Sequence, residues 1–313
     1  MPQVMTVRGP IPADALGFTL PHEHTFLNLA AFPTSATLSG LDAIIDPVRH
    51  TQILIDELAL FKQLGGVSLV DLTNRNMGGD VQATRRLSEA TGVNIIVGCG
   101  WYREAFMDEF LYYKPTEELA EELIYEIEHG FGNTGIRPGI IGEIGTNLLH
   151  LSAKEERCLR AMAKAQRRTG LALTTHLPQG GVGLELLDIV QEHGVPGDRV
   201  IIGHADIYMD AAYHVALMKR GAYVEFDNIG AHYDVPRQEP ALVEHICLLI
   251  EAGYVKQILL SHDSCWRSRL AHWVGPGYVY LFRTFLSLMQ ARGISDEAIH
   301  IMTVENPKRV LAY

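Results

Sequence analysis

The sequence predicts a (β/α)8 barrel, also called a TIM barrel, formed by a single domain over residues 1–313. Short apolar runs rich in Val, Ile and Leu alternate with longer stretches of helical periodicity, which indicates repeated β-α units and a parallel sheet. Eight such runs are present, and eight parallel strands close a barrel of this kind. No internal repeat, low-complexity tract or Pro- and Gly-rich linker divides the chain, so one domain is the simplest interpretation.

The predicted strands follow the apolar runs, and amphipathic segments separate them. The strands span 17–24, 66–73, 93–100, 138–145, 171–176, 200–204, 221–227 and 257–263. Helices are predicted over 51–64, 116–130, 153–169, 183–193, 211–220, 240–252 and 278–292. Several of these helices are followed by glycine, for example Gly170, where a left-handed C-cap favours it. Residues 32–46 are predicted to form an irregular excursion after the first strand.

Composition and charge narrow the classes of function. Hydrophobic residues make up 47% of the chain and charged residues 20%, as in ordinary globular proteins. A net charge of -11 disfavours nucleic acid and anionic membranes as partners, because both attract surplus Lys and Arg. The sequence shows neither a secretory signal nor a transmembrane segment, so we expect a cytoplasmic protein. The four cysteines lack Cys-x-x-Cys spacing and are expected to be reduced thiols.

Residues of metal-ligand type gather at the ends of the predicted strands, where TIM barrels place their reactive groups. His22 and His24 point to the same side of a strand and can bind one cation, whereas Glu23 points the other way. Each candidate alone has a commoner explanation as a core or surface histidine, a cap or a hydrogen-bonded carboxylate. Together the candidates have no evident packing rationale. They predict a metal centre formed by His22, His24, Glu143, His176, His204 and Asp263.

The remaining histidines provide a comparison within the same chain. Those in helical stretches or at their ends are predicted to be solvated, namely His50, His129, His193, His214, His245 and His300. Those in loops or beside a candidate ligand leave a substrate contact open, namely His150, His232, His262 and His272. Asp206 and Asp227 are candidates for orienting the ligands from behind.

Several motifs, in order along nearly the whole chain, resemble the phosphotriesterase-like branch of the amidohydrolase superfamily. Within that branch the sequence is most similar to the group of phosphotriesterase homology proteins. The motifs are GFTLPHEH at 17–24, LTNRNMG at 72–78, GIIGEIGT at 139–146, TH at 175–176, GHAD at 203–206, GAYVEFD at 221–227, LSHD at 260–263 and ENP at 305–307.

The resemblance implies how the candidate ligands divide between two divalent metal ions. His22 and His24 would hold the more buried ion, which Asp263 would complete, and His176 and His204 would hold the more exposed one. Much of the family bridges its two ions with a carboxylated lysine. This sequence has no lysine between 135 and 153, and the homology-protein group shares that departure.

Glu143 would be the bridge instead. A glutamate and a carboxylated lysine each present one negative charge and two oxygens, so the exchange leaves the charge of the centre unchanged. Because glutamate is shorter, the geometry differs, and the activities of lysine-bridged relatives do not transfer automatically. We expect activity to be independent of bicarbonate.

The predicted ligands suit zinc best, with manganese or cobalt as alternatives. Two such ions would share a hydroxide that attacks the substrate, and Asp263 would take its proton. Tyr102, similar in place to a tyrosine of family lactonases, is a candidate substrate contact, with an apolar lid as the equal alternative. Arg267 and Arg75 are candidates for receiving an anionic substituent, against the alternative that they close loops through carboxylate pairs.

Three classes of function stay open. The first is hydrolysis of a small-molecule carboxylic ester or lactone, with phosphotriesters as a side activity at most. The second is hydrolysis of an amide or N-acyl compound on the same site. The third is a barrel that retains metal but has lost turnover, against which the complete ligand set argues. The resemblance also favours a homodimer.

Overall fold

Eight parallel strands form the predicted TIM barrel in a computed structural model that describes residues 2–29, 40–178, 180–231 and 238–313. The strands, labelled β1 to β8 in chain order, are Thr19–Glu23, Ser68–Asp71, Asn94–Cys99, Ile140–Gly145, Leu173–His176, Val200–Ile202, Tyr223–Phe226 and Ile258–Leu260. Each pairs in parallel with the next. The barrel closes between β8 and β1, where Ser261 Oγ donates to the His22 carbonyl at 2.7 Å.

The segments between the strands form helices around the barrel. Helices α1 to α7 follow β1 to β7 and span Thr51–Gln63, Val81–Thr91, Thr116–His129, Ala153–Thr169, Val182–Glu192, Ala211–Lys219 and Gln238–Glu251. After β8 come α8, α9 and α10, which span Leu286–Ala291, Asp296–His300 and Asn306–Leu311. π-helical segments at Leu281–Phe285 and Ile301–Glu305 precede α8 and α10. Within the described ranges, no helix is both long and apolar enough to span a bilayer.

Helices α2, α9 and α10 are absent from the sequence prediction, and so are an amino-terminal hairpin and a short antiparallel pair formed by Leu27–Asn28 and Ile44–Ile45. Helix α2 buries Ala83, Thr84, Leu87 and Ser88, so half of its inner face is polar and few apolar residues mark the helix in the sequence. The hairpin consists of Gln3–Thr6 and Gly9–Pro12. It covers the amino-terminal end of the barrel, where Val4 belongs to one buried cluster with apolar residues from six strands and with Ala172, which directly precedes β5. The strand residues are Val70, Ile96, Ile140, Ile201, Tyr223 and Leu259. This end is packed, so chemistry is left to the opposite end.

Six of the strands end one to three residues earlier than the sequence predicts, namely β1, β2, β3, β6, β7 and β8. β6 stops at Ile202 rather than at 204, and β8 stops at Leu260 rather than at 263. His204 and Asp263 instead adopt left-handed backbone conformations, with φ of 57° and 50°. Such conformations are uncommon for residues other than glycine and leave the strand ladder. The left-handed conformation turns both side chains toward the end of the barrel. The pattern of apolar residues in the sequence does not predict it.

Capping groups fix the loops at that end. Ser152 Oγ accepts a hydrogen bond from the Glu155 amide at 3.2 Å, and Glu155 Oε2 accepts one from the Ser152 amide at 2.9 Å. This capping box begins α4, which ends at Gly170 with a φ of 78° as predicted. The other oxygen of Glu155 accepts from the Glu104 amide at 3.0 Å. The loop after β3 is thereby tied to the first turn of α4.

Three histidines that the sequence predicts to be solvated are buried, since His50, His214 and His245 are only 6%, 1% and 7% exposed. His214 on α6 and His245 on α7 contact each other, with 2.8 Å between Nδ1 and Nε2. Burial and the neighbouring His245 lower the pKa of His214 to about 3. The two helices therefore pack around neutral imidazoles, which helical periodicity could not reveal.

Acidification is expected to destabilise the protein through His214. Its folded-state pKa of about 3 lies below the roughly 6.5 of an unfolded histidine, so its contribution is complete above pH 6.5 and is lost as pH falls toward 3. Over pH 7 to 5, metal-free wild type should lose about 2 kcal/mol more unfolding free energy than His214→Gln. Urea unfolding at both pH values measures this difference, and equal losses would contradict it.

Candidate metal centre

The predicted ligands converge at the carboxyl-terminal end of the barrel. Some lie within strands and others in the turns that follow them. Their side chains are buried, none more than 13% exposed. Three of them lie on strands, namely His22, Glu143 and His176, and three lie just beyond strands, namely His24, His204 and Asp263.

The first cluster joins the end of β1 to the turn after β8. His24 Nε2 lies 3.2 Å from Asp263 Oδ1, and His22 Nε2 lies 3.7 Å from the same oxygen. The candidate ligand atoms of His22, His24 and Asp263 all lie within 4.8 Å of one another. This spacing allows the three to share one metal ion.

The second cluster joins β4, β5 and the turn after β6. Glu143 Oε2 lies 3.3 Å from His176 Nδ1 and 3.9 Å from His204 Nε2. The two imidazole nitrogens are 2.5 Å apart. Glu143, His176 and His204 also satisfy the 4.8 Å spacing.

Glu143 lies between the two clusters. Besides its contacts in the second cluster, its Oε2 lies 3.4 Å from His22 Nε2 and its Oε1 lies 3.8 Å from His24 Nε2. One carboxylate thus reaches histidines of both clusters, the arrangement expected of a bridge.

Partners behind the histidines orient their rings. The Asp227 carboxylate lies 2.8 Å from His22 Nδ1 and 2.8 Å from His204 Nδ1, and Thr73 Oγ1 lies 2.9 Å from His24 Nδ1. Each contact engages the ring nitrogen that points away from Glu143, as in metal-ligating histidines. Asp206 contacts no candidate ligand, because its carboxylate accepts from the amide of Asn228 instead.

The cluster fits a cation. His22 Nε2 and Glu143 Oε2 are buried without a hydrogen-bond partner, although buried polar atoms are almost always paired. Burial alone would lower the pKa of His22, but Glu143 and Asp227 raise it well above 6.5. The field of these carboxylates favours positive charge here, and the mixed nitrogen and oxygen donors suit a divalent transition metal ion.

Glu23 points away from the cluster, as strand alternation predicts, and holds the turn that carries Asp263. Its Oε1 accepts from Ser261 Oγ at 3.0 Å, from the His262 amide at 2.9 Å and from His262 Nδ1 at 2.8 Å. Its Oε2 accepts from the Ser264 amide at 2.9 Å. Donors on both sides of Asp263 therefore converge on one fully buried carboxylate.

We expect Glu23→Gln to destabilise the fold by about 2 kcal/mol, because the new amide group would face the Ser264 amide donor in a buried site. Urea unfolding at neutral pH measures the change. Glu251→Gln, at an exposed glutamate that ends α7, is the matched control and should change stability by less than about 0.5 kcal/mol. A Glu23→Gln protein as stable as this control would contradict the assignment.

A cavity of about 320 Å³ opens above the cluster, lined by Tyr102, Arg103, Asn147, Trp266 and Arg269 together with most of the candidate ligands. The Tyr102 hydroxyl lies 3.1 Å from each ring nitrogen of His176. Burial, reinforced by Glu143, raises the pKa of Tyr102 well above 10. The Tyr102 hydroxyl therefore lies beside the cluster, and it is protonated at neutral pH.

The structure does not bring Arg267 to the cavity. Its guanidinium donates to the Leu41 carbonyl at 3.0 Å and stacks on Trp273, with 4.8 Å to the ring centroid. Arg269 lines the cavity instead, although its Nη1 donates to the His262 and Asp263 carbonyls at 2.8 Å each. The spacing of arginines along a loop after β8 could not tell which one turns inward.

Arg75 pairs with Glu126 at 3.0 Å, which is the loop-closing alternative. His232 lies outside the described residues, as do 32–39 of the predicted excursion and 232–237 of the loop after β7.

A model of the phosphotriesterase family matches residues 2–311. The chain belongs to the phosphotriesterase family. Its sequence is 32% identical to the phosphotriesterase homology protein of Escherichia coli over 296 residues, which cover 95% of this chain and 98% of that one. It is 30% identical to the N-acetyltaurine hydrolase of Xenopus tropicalis, over 99% of this chain and 98% of that one.

Solved structures of phosphotriesterase-family proteins share the fold. The Escherichia coli phosphotriesterase homology protein, crystallised with phosphate in its active site, gives a TM-score of 0.88 over 95% of this chain and 99% of that one. A lactonase from Listeria monocytogenes gives 0.89 at 25% identity, over 99% and 98% of the two chains. This chain is therefore a phosphotriesterase-family hydrolase, and its clusters could hold the two metal ions typical of the family.

Proposed function

We propose that this hydrolase cleaves a small-molecule carboxylic ester or lactone with the help of two divalent metal ions. The observation that carries the proposal is the position of Glu143, whose one carboxylate lies 3.4 Å from His22 and 3.3 Å from His176. A carboxylate that reaches two histidine clusters is suited to share two ions, whereas a single-metal site has no use for the second cluster.

We assign one ion to each of the two clusters. Imidazole and carboxylate donors favour zinc, with manganese or cobalt as alternatives. Such ions, when bound, make hydroxide available near neutral pH and polarise the oxygen of the substrate. One ion would be held by His22, His24 and Asp263, the other by His176 and His204, and both by Glu143.

Two side chains take part in the reaction, Asp263 through the attacking water and Tyr102 through the substrate. Burial alone would raise the pKa of Asp263, but His24 and His22 lower it below its usual range, so the carboxylate stays ionised and can accept the proton of the attacking water. Tyr102 stays protonated at neutral pH, and its hydroxyl can donate to the carbonyl oxygen or to the leaving group.

Hydrolysis of an amide or N-acyl compound is the second candidate, favoured by the N-acetyltaurine hydrolases among the relatives. An amine leaves only when protonated, and Asp263 could return to it the proton taken from water. The phosphate in the Escherichia coli structure is compatible with a side activity on phosphotriesters.

A matched substrate series tests the proposal. It compares phenyl acetate with acetanilide and δ-valerolactone with δ-valerolactam on enzyme loaded with zinc. We expect kcat/KM for the ester or lactone to exceed that for the matched amide by at least about tenfold, and chelation followed by zinc to remove and restore the activity. Faster amide turnover would move the assignment to the N-acyl class. Inertness toward the whole series with metal bound would leave a non-catalytic barrel.

A further inference from the structure

Arg103 contributes an unpaired cation to the wall of the cavity. Its side chain lines the cavity beside Tyr102 and His176. Its Nε is buried without a hydrogen-bond partner, and among the described residues no carboxylate forms an ion pair with it. The residue as a whole is only half-buried, so its terminal N–H groups keep donors for an anion that enters the cavity, and we expect that partner to come from outside the chain.

Three other arginines near this end of the barrel lie within the described ranges, and each is already engaged. Arg75 pairs with Glu126 at 3.0 Å, and Arg267 donates to the Leu41 carbonyl at 3.0 Å. Arg269 reaches the cavity but donates from Nη1 to two backbone carbonyls at 2.8 Å each. Of these four described arginines, Arg103 therefore has the guanidinium most available to a ligand in the cavity.

Two aromatic rings hold this guanidinium close to the candidate metal centre. Its central carbon lies 5.2 Å from the centroid of the Tyr102 ring and 5.0 Å from that of Phe106. The hydroxyl of Tyr102 contacts His176 at 3.1 Å, so one side chain links Arg103 to the second cluster. Stacking on aromatic faces leaves the edge of a guanidinium, with its N–H donors, free for bidentate bonds.

The backbone that carries Arg103 is also held in place. The next residue, Glu104, donates its amide to Glu155 Oε1 at 3.0 Å, and Glu155 belongs to the capping box of α4. Little ordering of the loop is then needed when a ligand binds, which favours affinity.

We propose that Arg103 recognises an anionic group on the substrate, a carboxylate, sulfonate or phosphate monoester located on the Tyr102 side of the bond that is cleaved. The inference rests on the proposed function, because it concerns the substrate of the same cavity. It assigns to Arg103 the role that the sequence suggested for Arg267.

A pair of aryl acetates tests this selectivity. 4-Acetoxybenzenesulfonate carries the anion, and 4-(methylsulfonyl)phenyl acetate is nearly isosteric and neutral. We expect Arg103→Met to lower kcat/KM for the sulfonate by about tenfold or more, and to change kcat/KM for the neutral ester by less than about threefold. Arg103→Lys should retain part of the preference, because it keeps the charge but not the bidentate fork. Arg85→Met removes an arginine that pairs with Glu89 on the surface and should leave both values unchanged.

Binding gives a second readout that does not need turnover. Benzenesulfonate and methyl phenyl sulfone are titrated into wild type and Arg103→Met and followed by NMR. We expect the variant to bind benzenesulfonate about tenfold more weakly and the sulfone as wild type does. Equal losses on both esters, or no loss on the sulfonate, would overturn the proposal while the hydrolase assignment stands. If wild type hydrolyses neither ester, the proposed function fails for them, and the titration alone decides whether Arg103 binds the anion.

Discussion

Asp263→Asn is expected to lower kcat for ester hydrolysis by about 10³-fold at saturating metal, because it removes a positioned proton acceptor. His24 and His22 keep the carboxylate of Asp263 ionised by lowering its pKa against the effect of burial. Asparagine keeps the shape and one ligand oxygen but cannot take a proton. Steady-state kinetics over a zinc titration measures kcat at full occupancy and so separates weaker metal binding from slower chemistry.

The matched control for this variant is Asp80→Asn. Asp80 caps α2 by accepting from the Ala83 amide at 2.9 Å, and asparagine is an equally good cap. Its kcat should equal that of wild type. If Asp263→Asn at saturating zinc stayed within about tenfold of wild type, Asp263 would not be the proton acceptor.

Glu143→Ala is expected to have the larger effect, a loss of at least about 10³-fold in kcat/KM together with the loss of bound metal. The variant removes the carboxylate that lies between the two clusters and contacts His22 and His24 of the first and His176 and His204 of the second. Without it, four buried imidazoles face one another with less negative charge to hold two cations. Circular dichroism checks that the barrel still folds.

Glu143→Asp completes the comparison, because it keeps the charge but shortens the side chain by one methylene. If bridging is the role of Glu143, the aspartate variant should retain more metal than the alanine variant and regain part of the activity. Equal metal content in wild type and Glu143→Ala would rule out the bridge.

The barrel was predictable because strand and helix signals come from residues that pack the core. The alternation of apolar runs gave all eight strands, and β4 and β5 ended where predicted, at Gly145 and His176. The failures have local causes. Half of the inner face of α2 is polar, and β6 and β8 stop early because His204 and Asp263 leave the strand conformation.

The ligand types were predictable because a His-x-His pair and isolated histidines or carboxylates at strand ends are visible in the chain. The contacts that these residues make were not predictable. Glu23 could be placed on the opposite face of β1, but its donors come from the other end of the chain, around Asp263. Arg267 stacks on Trp273, whereas Arg103 faces the cavity. This difference depends on the conformations of the loops, which the spacing of residues in the sequence does not encode.

The most direct test of the binuclear centre is the metal content of purified protein, measured by elemental analysis after exposure to zinc and removal of free metal. We expect two equivalents per chain in wild type, and one or none in Glu143→Ala. One equivalent or none in the wild-type protein would contradict the shared role of Glu143 and with it the proposed mechanism.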